Sequence, residues 1–232
     1  MVSQGNPDDA QGPAYGDGHA RRSAATRGKL IRATISTLDA LGFAATTTIE
    51  VARRAGVSRG AMLHHFSTRA GLLLATAEFI LREKECERRD VLHMKERGKS
   101  QSCPITVASW EMMQRPEAVA LTEIMLGGRS DPEIHASFSA LMKAFNRRLL
   151  DGPNQLADDF GYSDSRLVRA MARLHVAAMR GLVIDKLYCD ASDTSIDDAF
   201  QLLVWYKGLA MRRLENPEFA SAAEAAESLS LK

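Results

Sequence analysis

Apolar side chains recur at helical spacing along most of the chain, and no strand-like alternation of useful length interrupts them. The first clear stripe is Leu30, Ile31, Thr34, Ile35, Leu38 and Leu41, which predicts an amphipathic helix over 26–41 that Gly42 stops. A long helix is expected to start after Thr68, with Leu72, Leu73, Ala75, Ala77 and Ile80 on its apolar side, becoming a solvated connector from Arg82 to Lys99. Further helices are expected over 104–115, 117–126, 132–156, 165–189 and 195–215. The breaks between them fall at Pro116, Gly127-Gly128, Gly161 and 190–194, and Gly152-Pro153 is expected to kink or split one of them. The fold class is therefore all-α. Residues 1–24 and 217–232 carry no clear periodicity and read as tails, the first one disordered.

Between the first two stripes lies a denser signal. Val51, Ala52 and Ala55 share one face of a short helix whose start can be capped by the hydroxyls of Thr46, Thr47 and Thr48. Gly56 sits where that helix must turn left-handed, Val57 fills the corner, Ser58 is a ready N-cap for a second short helix over 59–65, and Phe66 closes it. Small residues at such a crossing let two helices approach closely, as a helix-turn-helix requires.

The net charge of +1 hides a segregation. Residues 20–70 hold nine Lys and Arg against two acids, whereas 71–232 hold 21 basic and 24 acidic groups. The positive charge thus lies with the helix-turn-helix, where a polyanion would be gripped. Arg21 and Arg22 end the expected tail within reach of such a partner. Cys86, Cys103 and Cys189 are scattered without CxxC spacing, which argues against a disulfide framework or a zinc site, and reduced thiols are expected. No apolar run approaches the ~18 residues that span a bilayer, and the N-terminus lacks the apolar run of a secretory signal. The expected location is cytoplasmic.

With these residues in place the chain resembles the TetR family of bacterial transcriptional regulators. The resemblance rests on the helix ending at Leu41, Gly42-Phe43, the run of threonines, Val51-Ala52, Ala55-Gly56-Val57-Ser58, Gly60, His65-Phe66 and Thr68-Arg69 with Leu72. It implies an N-terminal three-helix DNA-binding domain over 25–71 and a helical ligand-binding and dimerisation domain over 72–216. It also implies that Thr48, with Thr47 beside it, holds a phosphate at a helix N-terminus. Ser58 opens the recognition helix, where Arg59, Gly60 and Ala61 are expected at base edges: Arg59 on guanine or on phosphate, Gly60 permitting close approach, Ala61 against a thymine methyl. His64, His65 and Arg69 fit phosphate positions at the far end. Leu63 stands where the family usually has a tyrosine, so either His64 takes over a phosphate contact or Leu63 packs inward.

The resemblance implies an inducer enclosed by the C-terminal helices, and Trp110, Met113, Met125, Phe138, Met142 and His175 are candidates for lining its cavity. The helices 165–189 and 195–215 are apolar around more than half their circumference, so a homodimer through them is expected. No nucleotide, serine-hydrolase or zinc-protease motif appears in credible context, and no cofactor or metal is expected. The expected function is a dimeric repressor released from a palindromic operator by a small molecule. The alternative is an all-helical enzyme or adaptor that does not bind DNA.

Overall fold

The computed structural model describes residues 15–95, 102–160, 165–190 and 192–215. Among them all regular structure is helical: α1 (Tyr15–Ala45), α2 (Thr48–Ala55), α3 (Arg59–His65), α4 (Arg69–Lys95), α5 (Ser102–Met113), α6 (Pro116–Gly127), α7 (Pro132–Phe160), α8 (Ser165–Lys186) and α9 (Ser195–Glu215). A 3-10 turn, Gly128–Ser130, joins α6 to α7 at the expected glycine pair.

Helix α1 begins well before the position that periodicity suggested. Residues 15–24, read as part of a disordered tail, are helical. Ala20, Ala24 and Ala25 have high helix propensity, and Arg22 and Thr26 bond back to the Gly18 and Arg22 carbonyls. Arg21 and Arg22 therefore ride on a helix and not on a free arm. The expected stripe is buried from Leu30 to Leu38, but Leu41 is 48% exposed, and Gly42, expected to stop the helix, instead bends α1, which continues to Ala45. Gly42 has φ 76° and ψ 178°, which a Cβ would strain. Thr34 and Thr37 are buried in the stripe at no polar cost, since their hydroxyls donate to the Leu30 and Ala33 carbonyls at 2.8 and 2.7 Å.

One apolar core unites α1, α2 and α3 with α4, α6 and α7. Leu30, Leu38, Val51, Met62, Phe66, Leu72, Leu73 and Ile80 meet Ala120, Ile124, Ile134 and Phe138 in a continuous cluster. The small N-terminal unit is thus seated on the rest through α1 and α6. At that seat the Phe43 N–H donates to Glu123 Oε2 at 2.7 Å, and the Phe43 ring lies against Gly127. A Cβ on Gly127 would fall 2.1 Å from the ring. A second cluster holds Trp110 stacked on Phe200 at 4.8 Å, with Met179, Val183 and Ile196, and a third pairs Val168 and Met171 with residues of α9.

The helix expected over 132–156 continues to Phe160 without a break at Gly152-Pro153, and that expected to end at 189 stops at Lys186. The segments 1–14 and 216–232, which include most of the expected tails, lie outside the described residues.

Gly127→Ala should expel the Phe43 ring. We expect overpacking of about 1–3 kcal/mol, read as a melting temperature several degrees lower by circular dichroism, with helix content at 20 °C retained.

Candidate nucleic-acid interface

The reading helix is held at both ends by local chemistry. Helix α2 starts at Thr47, whose hydroxyl oxygen accepts the Glu50 N–H at 3.2 Å, and ends at Gly56 with φ 65° and ψ 35°. The Gly56 N–H closes the turn on the Ala52 and Arg53 carbonyls. Ser58 then caps α3 by accepting the Ala61 N–H at 3.1 Å, and the Phe66 N–H bonds the Met62 carbonyl. Met62 and Phe66 face inward, so Arg59, Gly60, Leu63 and His64 face out.

This geometry keeps most of the expected contact residues together. Thr47 is exposed and Thr48 half-buried at the first turn of α2, where backbone N–H groups without intrahelical partners favour an anion. Arg59 and Gly60 are exposed, and Ala61 is half-buried, at the start of α3. Leu63 does not pack inward: it is 46% exposed, an apolar side chain beside His64 on the outer face. His65 is half-buried; burial pushes its pKa down, and the charges of His64 and Arg27 lower it further, so near neutral pH it is a weak cation for phosphate.

Arg69 is placed differently from expectation. Its Nε donates to the Thr46 carbonyl at 2.7 Å, an Nη2 donates to the Phe43 carbonyl, and its guanidinium covers the Phe43 ring at 4.3 Å. Two donors are thereby committed to the α1–α2 corner, and Arg69 acts as a strut under the helix-turn-helix. Arg54 has a comparable role, which the sequence reading did not single out: it bonds Glu50 at 2.8 Å and reaches Ser36 of α1 at 3.2–3.3 Å. Arg53 and Arg54 beside Glu50 hold its carboxyl down to about 2. Arg27 stacks over Phe66 at 4.5 Å and ties α1 to the end of α3. Nothing in sequence spacing marks an arginine as a strut, because the carbonyls it serves lie 18 to 26 residues away.

Residues 30–76 match the family described as bacterial regulatory proteins, tetR family. The match shows a TetR-family DNA-binding segment within this chain. Its matched segment covers α1 from Leu30, the helix-turn-helix and the first turns of α4. The HTH-type transcriptional regulator CymR of Pseudomonas putida is 48% identical over 61 residues, 26% of this chain and 30% of CymR. BetI of Cronobacter sakazakii is 36% identical over 119 residues, 51% of this chain and 49% of BetI. The alignments thus span half or less of these relatives. In the whole fold, a transcriptional regulator from Rhodococcus sp. Rha1 superposes with a TM-score of 0.64 at 17% identity, covering 82% of this chain and 98% of that one.

Of the six residues expected to line a ligand cavity, the structure brings four together. Met113, Met125, Phe138 and Met142 surround a cavity of about 20 Å³ with Ala118, Leu121 and Thr122. Trp110 does not reach it, being stacked on Phe200 in the second cluster. His175 does not either: it is buried against α9, with Nδ1 2.8 Å from the Met171 carbonyl and its ring near Tyr206. The sequence reading missed two cavity residues, Lys84 of α4 and Arg180 of α8. Elsewhere, burial and the carboxylates around Asp193 push the Cys189 thiol up, the reverse of an activated thiolate.

Two substitutions separate strut from cap. Arg69→Ala should cost about 2 kcal/mol by removing charge-assisted bonds to two carbonyls, and Ser58→Ala about 1 kcal/mol through the lost N-cap. Urea unfolding followed by circular dichroism should show both losses in solutions free of DNA.

Proposed function

We propose that this chain is a dimeric, DNA-binding transcriptional repressor whose α3 helices enter successive major grooves and whose C-terminal cavity takes a small-molecule inducer. The observation that carries the reading is the outward face of α3: a capped helix in a TetR helix-turn-helix that presents Arg59, Gly60, Ala61 and His64 while Met62 and Phe66 anchor it from behind. In this reading Arg59 meets base edges, Thr47 and Thr48 grip a phosphate at the start of α2, and His64 supplies a further backbone contact. Leu63 offers an apolar contact, suited to a thymine methyl, where the family usually presents a tyrosine.

Dimerisation is supported by the outer face of the last two helices. Leu174, Leu202, Trp205 and Tyr206 are all more than 40% exposed, and Trp205 reaches 60%. Exposed large apolar side chains of this kind on the last two helices are suited to a second copy. Two-fold symmetry would then set half-sites about 34–36 Å apart or at multiples of that spacing. Among the described residues no helix is long and apolar enough to cross a membrane, and we place the protein in the cytoplasm with its DNA.

Switching follows from the connections of α4 and α6. Helix α4 carries Arg69 at one end and Lys84 at the cavity; α6 carries Glu123 and Gly127 at the Phe43 seat and Leu121, Thr122 and Met125 at the cavity. A ligand that parts these helices alters both attachments of the reading head. It shifts the equilibrium only by its differential affinity for the two arrangements.

Selection of bound duplexes from a random DNA library tests the reading. A palindromic motif is expected, and absence of enrichment by a folded sample overturns it. Arg59→Ala should relax base preference at one position per half-site, with a loss of about 1–3 kcal/mol there; unaltered preference would place Arg59 on phosphate.

A further inference from the structure

The cavity in the C-terminal helices has an asymmetric lining. Three methionines and Phe138 supply apolar, deformable walls, whereas the charged side chains among its described lining residues are two cations, Lys84 and Arg180. They come from different helices, α4 and α8, so their convergence is a product of the tertiary fold. Lys84 Nζ lies 4.0 Å from Met113 Sδ, a poor acceptor for an ammonium. The carboxylates that favour its charge, Glu87 on its own helix and Glu117 of α6, are not part of the lining, and Glu87 is engaged by Arg115 at 2.8 Å. Burial, reinforced by the charge of Arg180, pushes the Lys84 ammonium down to about 8, and burial also lowers Arg180. Among the described residues neither of these half-buried cations has an ion-pair partner at the cavity, and withdrawing two like charges from water in this way is costly, whereas a structural role would be served better by apolar residues of the same size.

We propose that Lys84 and Arg180 form an anion-recognition pair for an apolar carboxylate, whose body lies among Met113, Met125, Phe138 and Met142. This rests on the reading of the cavity as the inducer site. The guanidinium of Arg180 can bind a carboxylate through two parallel N–H donors, and Lys84 supplies a point charge beside it. The cavity of about 20 Å³ holds little more than one water, so the apolar body enters by displacing methionine side chains. Because Lys84 is on the helix that begins at Arg69, drawing it toward the carboxylate acts directly on the support of the reading head.

The test is calorimetric titration of the full chain with octanoate and phenylacetate, each against its neutral amide. At least one acid should bind roughly tenfold or more tightly than its amide. A Lys84→Met, Arg180→Met double variant should lose that preference, while its ligand-free melting temperature stays equal or rises. If the double variant does not fold, Lys84→Gln alone should still narrow the acid-over-amide ratio several-fold. Equal binding of acids and amides, binding of neither acid, or a preference that survives removal of the cations overturns the anion pair. Binding to the selected operator is measured in parallel. Failure of the acid preference with operator binding intact overturns the anion pair alone. Acid-selective binding by a chain that holds no operator overturns the regulator reading and leaves the anion pair standing.

Discussion

The structure depends on one corner, the residues around Phe43 where α1 bends into the helix-turn-helix. Gly42 permits the bend, Glu123 accepts the Phe43 N–H, Gly127 admits its ring, and Arg69 covers that ring while bonding the carbonyls of Phe43 and Thr46. Glu123 and Arg69 pair with backbone groups at the bent end of α1 and just beyond it, so the corner is both a cap and a joint. It fixes the direction in which α2 and α3 leave the body. The same residues connect that direction to α4 and α6, which wall the cavity.

The division of labour among the arginines follows from this corner. The N-terminal unit is strongly basic, yet its cations are not equivalent. Arg54 and Arg69 are tied to backbone and side-chain oxygens within the fold, and Arg27 covers an aromatic ring. Arg59 projects from the first turn of α3 and is exposed. A count of charges predicts attraction to a polyanion, but only the packing distinguishes residues that orient the reading helix from those able to touch what it reads.

Local chemistry was the legible part of the chain. Ser58, Thr68 and Gly56 each mark a boundary that depends on the residue itself and its nearest neighbours, and each boundary lies where its residue implies, whereas Gly42, expected to stop α1, bends it and the helix runs on to Ala45. The spacing of Leu30, Ile31, Ile35 and Leu38 showed the buried face of α1 for the same reason. What escaped depends on distant partners. Arg69 serves carbonyls 23 and 26 residues away, Phe43 and Glu123 are 80 apart, and Lys84 and Arg180 line one cavity only because the tertiary fold brings α4 and α8 to it. Trp110 and His175 were of the right type for a cavity wall, but residue type does not say which of two clusters an aromatic joins. The extension of α1 to Tyr15 escaped because alanine-rich turns among glycines carry no apolar stripe.

Everything above turns on the exposed face of α3 binding DNA as half of a symmetric pair. The most direct measurement is the affinity for a palindromic duplex, with stoichiometry from sedimentation, across a range of salt concentrations. Two chains per duplex, and an affinity that falls roughly a thousandfold between 50 and 200 mM salt, would follow from six or more phosphate contacts shared by two reading heads. Binding that ignores salt, or a single chain on each palindrome, would contradict it.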